Sequence, residues 1–314
     1  MSSTPTINGL HHVTAISGDA QRNLDFYTKV LGLRFVKRTV NFDDPSVYHL
    51  YYGDEVGTPG TALTFFPWAH LPRGRAGTGE TSITSFAVPP GGLGFWRERL
   101  AAHGVEHGAP ADRFGEPTLA FRDPDGMGAA LVEPAEPDDR TPWTTPEVGP
   151  EHAIRGFHGV TLTLTDRAAT ARLLADIFGY EPAGREGDLH RYATPHAAHA
   201  RHVDIVERPG APRAQQGAGS VHHVAFSVRD DAAQMAFRER LSAAGLHVTP
   251  QVDRDYFRSI YFRTPGGVLF EIATEEPGFT VDEPREELGR SLKLPRQHEH
   301  LRARLERELP PLVL

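Results

Sequence analysis

The chain has 314 residues, 39% of them hydrophobic, with a formal net charge of -8, and that length supports two domains of ordinary size. Charge falls in small clusters with no basic stripe for a phosphate backbone, which excludes a nucleic-acid partner. Cysteine is absent, so disulfides, thiolate nucleophiles and zinc-thiolate sites are excluded, and a metal must bind through nitrogen or oxygen, for which 17 histidines are available.

The start, MSSTPTINGL, carries neither a basic leader nor an apolar run. No window approaches the roughly 18 uninterrupted apolar residues of a membrane span, so the expectation is a cytoplasmic protein with no membrane partner. Leu10, His12, Thr14 and Ile16 then alternate with His11, Val13 and Ala15, the period of a strand. Asp19 is placed to cap a helix whose Leu24, Tyr27 and Leu31 share one face, and Gly32 can end it in a left-handed conformation. Short β-rich runs follow, SVYHLYYG and TALTFFPW among them. The Gly-rich stretch 72–80 reads as a surface connection in preference to a lid. A helix over FWRERLAAHGV and a turn at FRDPDG come next, then the Pro- and Asp-rich linker AEPDDRTPWTTPEVGP. Asp166, Leu173, Leu174, Ile177 and Gly179 repeat the first capped helix. The histidines at 190, 196, 199 and 202 sit near Pro195 and several alanines, which suggests an exposed loop able to capture adventitious metal. The strand VHHVAFSV, the helix AFRERLSAAGL, the turn FRTPGG and the strand GGVLFEIAT follow. Leu301, Leu305 and Leu309 then mark one stripe of a C-terminal helix strapped across the body.

Self-similarity organises these elements. The helix beginning at 95 matches the one at 236, and FRDPDG at 121 matches FRTPGG at 262, both at an offset of 141 residues. HVT at 12 answers GVT at 159, and VLGL at 30 answers IFGY at 177, both at an offset of 147. The fold class is therefore α+β: four βαβββ units forming two half-open barrels, plus the C-terminal helix. The expected divisions are a first domain over 7–137, a linker over 138–153, a second domain over 154–276 and an extension over 277–314.

Histidine doublets open units one and four, and Glu271 lies in the last strand of unit four. Two neutral imidazoles and a carboxylate on adjacent strands form the 2-His-1-carboxylate triad, which leaves positions open for substrate and dioxygen on iron(II). This requires units one and four to share a barrel. Alternation selects His12, on the face of Thr14, and His223, with Glu271 on the face of Leu269 and Ala273. A carboxylate flanked by Phe270 and Ile272 is costly to bury without a cation. In the barrel of units two and three the corresponding positions read Ile83, Gly159 and Glu133, which cannot hold a metal. One site per chain is the expectation. Ser259, Tyr261 and Arg263 give their strand one polar face, and a phenol and a guanidinium there can stabilise a phenolate or an oxygen anion.

The runs GLHHVTAISGDAQRNLDFYTKVLGLRFVKRTVNFDDPSVYHLYYGD, GTPGTALTFFPW, GSVHHVAFSV, VDRDYFRSIYFRTPGGVLFEIAT and LPRQHEHLRARLERELPPL extend the argument over nearly the whole chain. Through them it resembles the ring-cleaving, hydroquinone-specific, extradiol-like dioxygenases of the vicinal-oxygen-chelate superfamily, also called glyoxalase-like. The resemblance implies metal ligands at His12, His223 and Glu271, with active-site neighbours at His11, Thr14, His222, Arg254 and Tyr261. It also implies Fe(II), with Mn(II) as the second choice, and a small aromatic substrate with O2 as reactants in aromatic degradation. His11, His222 or Tyr261 would handle protons. A homo-oligomer stays open. A glyoxalase-type isomerase would need a fourth protein ligand, where unit one offers only Leu63, Thr64, Phe65 and Phe66. A non-catalytic drug-binding protein would dispense with the metal ligands altogether.

Overall fold

The period-two pattern that opens each unit forms a strand, and the computed structural model, which describes residues 5–314, arranges four units. Unit one contains β1 (Leu10–Ser17), α1 (Ala20–Asp25), β2 (Arg34–Val40), β3 (Tyr48–Gly53) and β4 (Ala62–Pro67). Unit two contains β5 (Glu80–Ala87), α2 (Leu93–Ala102), β6 (Ala111–Arg113), β7 (Glu116–Arg122) and β8 (Gly128–Val132). Unit three contains β9 (Gly156–Leu164), α3 (Ala168–Arg172), β10 (Glu181–Glu186), β11 (Leu189–Ala193) and β12 (His202–Glu207). Unit four contains β13 (Ser220–Val228), α4 (Asp231–Ala243), β14 (Val252–Asp253), β15 (Arg258–Arg263) and β16 (Leu269–Thr274).

Two eight-stranded sheets result, and each combines non-consecutive units. Units one and four form the order β14-β15-β16-β13-β1-β4-β3-β2, with β1 antiparallel to β13 at the junction. Units two and three form β10-β11-β12-β9-β5-β8-β7-β6, with β5 antiparallel to β9. Each sheet curls into a half-barrel, as the repeat implied.

Helix ends follow the local chemistry. The Asp19 side chain accepts the Arg22 N–H, and α1 runs into a π-helical turn at Phe26–Val30 that ends at Gly32. Gly32 has φ +69°, and a Cβ there would press on Val148 from the linker, so both the turn and the contact require glycine. In α3 the Asp166 carboxylate accepts the Ala168 N–H at 2.7 Å. Apolar helix faces cover the sheets: Tyr27 packs on Tyr52 and Phe65, and Phe178 on Phe226, Phe237 and Phe270. Burying each such ring stabilises the fold by about 1.5–3 kcal/mol.

The stretch 72–80 bridges to 213–218 through Arg73, Arg75 and Thr78, so it joins the half-barrels as a connection. The C-terminal extension runs along the edge of β2. Buried Lys37 pairs with Asp282 and Glu283, and Arg38 bridges to Leu292. The helix α5 (Arg302–Glu308) buries Leu305 and Leu309. Among the described residues no helix is long and apolar enough to cross a membrane.

Candidate metal centre and its cavity

Both histidine doublets lie on β-bulges. Opposite β13, the register of β1 steps from Leu10 to His12, leaving His11 unpaired; opposite β1, that of β13 steps from His223 to Val221, leaving His222 unpaired. A bulge re-aims one side chain relative to the next. Here it sets the two rings of each doublet edge to face, their Nδ1 atoms 2.9 Å apart in His11–His12 and 2.8 Å in His222–His223. Each later ring can therefore give its Nδ1 hydrogen to the earlier one and keep Nε2 as a lone-pair donor. His11 completes the arrangement through its own Nε2, 3.1 Å from the Thr274 carbonyl.

The Nε2 atoms of His12 and His223 lie 3.3 Å apart, and Glu271 Oε2 lies 3.3 Å from the first and 2.9 Å from the second. These spacings suit three adjacent donors on an ion about 2.1 Å from each, which subtend edges of about 3.0 Å. Glu271 is fully buried, yet among the described residues its Oε2 has no hydrogen-bond donor. Three potential ligand atoms, one from each side chain, are thus gathered in one place. The donors therefore fit a 2-His-1-carboxylate centre. The other carboxylate oxygen, Oε1, accepts from Ser259. Burial alone would raise the Glu271 carboxyl, but His12 and His223 outweigh it and hold it well below the usual range. Burial and His12 lower His11 to about 3, and burial and His223 lower His222 to about 3.

A cavity of about 430 Å³ opens onto His12 and His223, walled by Phe66, Trp68, Phe257 and Leu269, with His222, Arg254 and Tyr261 as polar lining. Arg254 Nε donates to Tyr261 Oη at 3.1 Å, and among the described residues the phenol hydrogen has no acceptor. The guanidinium also lies over the rings of Phe42 and Tyr261 and 3.6 Å from exposed Asp43. Of the expected neighbours, His222, Arg254 and Tyr261 line the cavity. His11 is buried behind His12 with both nitrogens engaged, and Thr14 is fully buried with its hydroxyl 2.7 Å from that of Thr64. Sequence reasoning missed His49 and Tyr51, which also line the cavity.

Two expectations need correction in the second half-barrel. Strand register places Ala130, rather than Glu133, at the position of Glu271, because Ser85 pairs with Ala130 as Ala225 pairs with Glu271. Glu133 lies beyond β8 and accepts the Leu93 N–H at the start of α2. The histidines at 190, 196, 199 and 202 do not share one loop: His190 is on β11 and His202 on β12, where its ring packs against His158. His199 stands between Asp138 and Asp139, presenting a different nitrogen to each.

The Glyoxalase/Bleomycin resistance protein/Dioxygenase superfamily profile matches residues 9–131 and 152–272. "Putative ring-cleaving dioxygenase MhqO" of Bacillus subtilis is 46% identical over 303 residues, covering 96% of each chain. The "Chlorohydroquinone/hydroquinone 1,2-dioxygenase" of Sphingobium indicum is 39% identical, covering 98% of each. A crystal structure of a Bacillus subtilis protein described as a putative dioxygenase superposes with a TM-score of 0.94 at 46% identity, covering 98% of both chains. Glyoxalase I from Zea mays shares the fold, with a TM-score of 0.63 at 14% identity over 85% of this chain and 92% of its own.

Proposed function

The chain belongs to the Glyoxalase/Bleomycin resistance protein/Dioxygenase superfamily, and from that membership we propose that it is an Fe(II)-dependent dioxygenase opening the ring of a hydroquinone or related dihydroxybenzene with O2. The observation that carries the reading is the convergence of His12, His223 and Glu271 at a cavity lined by a phenol and a guanidinium. Relatives named for ring cleavage and for hydroquinone support the substrate class. Iron is preferred to manganese because two imidazoles and one carboxylate with open positions suit non-heme iron. Bound there, the ion would supply a place where an aromatic oxygen and dioxygen meet and charge passes between them.

The chain's own residues do the rest. Phe66, Trp68 and Phe257 hold the ring and exclude water. Arg254 supplies fixed positive charge, and Tyr261, whose oxygen accepts from it, turns its hydrogen toward developing negative charge. Burial and the nearby Glu271 raise the Tyr261 hydroxyl above its ordinary pKa, so it remains a donor near neutrality. His222 lines the cavity and can hold a proton at Nε2. We assign His11 to orienting His12, and Thr14 to the buried layer beneath it.

The isomerase alternative is disfavoured by Thr64. It pairs with Thr14 as Glu271 pairs with Ala225, so a hydroxyl stands where a fourth ligand would be needed. Anaerobic reconstitution with iron(II), followed by oxygen uptake with a panel of hydroquinones and catechols, tests the proposal. Stoichiometric uptake and ring-opened product are expected. No uptake with any dihydroxybenzene, together with isomerisation of a glutathione hemithioacetal, would overturn it.

A further inference from the structure

Units one and four are related by an approximate twofold axis through the β1–β13 junction, and register identifies equivalent residues. Thr14 and Ala225 each lie two residues beyond a ligand histidine and pair with Thr64 and Glu271. Thr64 pairs with Tyr51 on β3, and Glu271 pairs with Tyr261 on β15. Tyr51 is thus the counterpart of Tyr261. Both line the same cavity.

The surroundings of Tyr51 determine where its hydrogen lies. A continuous chain of hydrogen bonds runs from Thr14 Oγ1 to Thr64 Oγ1 at 2.7 Å, from Thr64 Oγ1 to His49 Nε2 at 2.9 Å, and from His49 Nδ1 to Tyr51 Oη at 2.8 Å. Thr14 is fully buried, and among the described residues its hydroxyl has no hydrogen-bond partner other than Thr64. A buried hydroxyl hydrogen left unpaired is disfavoured, so Thr14 donates to Thr64. Thr64, having accepted, donates to His49 Nε2. A neutral imidazole with Nε2 accepting carries its hydrogen on Nδ1, which donates to Tyr51 Oη. Among the described residues the Tyr51 hydrogen then has no acceptor, and because Tyr51, only 1% exposed, lines the cavity, the partner it needs must come from what the cavity holds.

We infer that Tyr51 is a second ligand-binding phenol, presenting its hydroxyl hydrogen to an oxygen of the bound phenolic substrate from the unit-one side of the cavity, with Thr14, Thr64 and His49 fixing its sense. The substrate part rests on the dioxygenase reading; the hydrogen-bond sense does not. Burial, with repulsion from His12 and His223, lowers His49 well below the usual imidazole pKa, which keeps it neutral as the chain requires. Burial, with Tyr261 and Glu271 nearby, raises Tyr51 well above the ordinary phenol value, which keeps its hydrogen in place. The two phenols would then reach the ligand with opposite support, Tyr261 from a cation and Tyr51 from a neutral relay.

Two measurements test this. Nitrogen-15 NMR of histidine-labelled protein, with the His49 signals assigned by their loss in His49→Asn, should show Nδ1 protonated and Nε2 bare in both metal-free and iron(II)-loaded chain. A protonated Nε2 would mean that Tyr51 donates inward, and would overturn the inference. Anaerobic titration of hydroquinone into the iron(II)-loaded protein should give a Kd about 5- to 10-fold higher for Tyr51→Phe than for wild type, the effect of one lost hydrogen bond. Phenylalanine retains the ring contact with Phe279, so folding and metal content should be unchanged. An unchanged Kd would overturn the ligand-binding role. A wild type that binds no hydroquinone would remove that role together with the dioxygenase reading, whereas the His49 tautomer decides the sense of the chain independently.

Discussion

The two half-barrels have the same strand order yet treat a buried carboxylate in opposite ways. Where units one and four place His12, His223, Glu271 and Thr64, register puts Gly159, Ile83, Ala130 and Asp204 in units three and two. Asp204, the only donor-bearing side chain of that second set, is held by Arg191 Nε at 2.9 Å and Nη2 at 3.0 Å. Arg191 pairs with Asp204 in the register by which Tyr51 pairs with Thr64, and its Nη1 reaches buried Glu116 at 2.5 Å. At Gly159 a Cβ would meet the His202 carbonyl oxygen at 2.5 Å, so no ligand side chain fits without backbone movement. The second cavity, about 450 Å³, is as large as the first, and the carboxylate that lines it, Glu116, is already paired with Arg191. A buried carboxylate with a built-in guanidinium is complete. One faced by two imidazoles, with an oxygen lacking a donor, requires something more.

The contrast can be broken from either side. Arg191→Ala should leave Glu116 and Asp204 buried without their cation and cost about 3–5 kcal/mol, read by urea denaturation; a loss under 1 kcal/mol would mean that water readily replaces the guanidinium. In the first half-barrel, Tyr261→Phe should keep metal content while slowing turnover by about 10²- to 10³-fold. Wild-type turnover would remove that hydroxyl from the chemistry. His11→Ala should weaken metal affinity by about 10- to 100-fold, measured by competition with a chelator, because His12 loses its orienting partner. Unchanged affinity would show that the bulge alone holds the ring.

The smallest effect concerns acid. Burial raises Glu116, but His158 and Arg191 together pull it down from 4.5 to about 2. A depressed carboxyl contributes stability that is fully present above its unfolded value and is lost as pH falls through the folded one. Glu116→Gln should therefore be less stable than wild type at pH 6, with the gap narrowing as pH falls between roughly 4.5 and 2. A gap independent of pH would place the effect in packing.

The four units, the doublets and Glu271 were legible because alternation and a repeated motif mark strands whatever their partners. The pairing of units one and four was legible only by chemistry, since that alone lets His12 meet His223. Tyr51 and His49 were not found, and Thr64 was placed only within the run 63–66, because loop lengths differ between these units: His12 and His223 are 211 positions apart, Tyr51 and Tyr261 210, and Thr64 and Glu271 207. No single offset aligns them, and backbone pairing is needed to see the equivalence. Glu133 was misplaced because an acidic residue near the end of β8 resembles Glu271 in sequence, although it lies three residues past the equivalent position. The loop reading around Pro195 fits 194–201 and failed at His190 and His202, which strand pairing draws onto β11 and β12.

Iron content per chain, determined after anaerobic loading and desalting, tests the central claim most directly when wild type, His223→Ala and His158→Ala are compared. The account requires one iron per chain in wild type, one in His158→Ala, whose change lies in the second half-barrel, and almost none in His223→Ala. Undiminished iron in His223→Ala would contradict it.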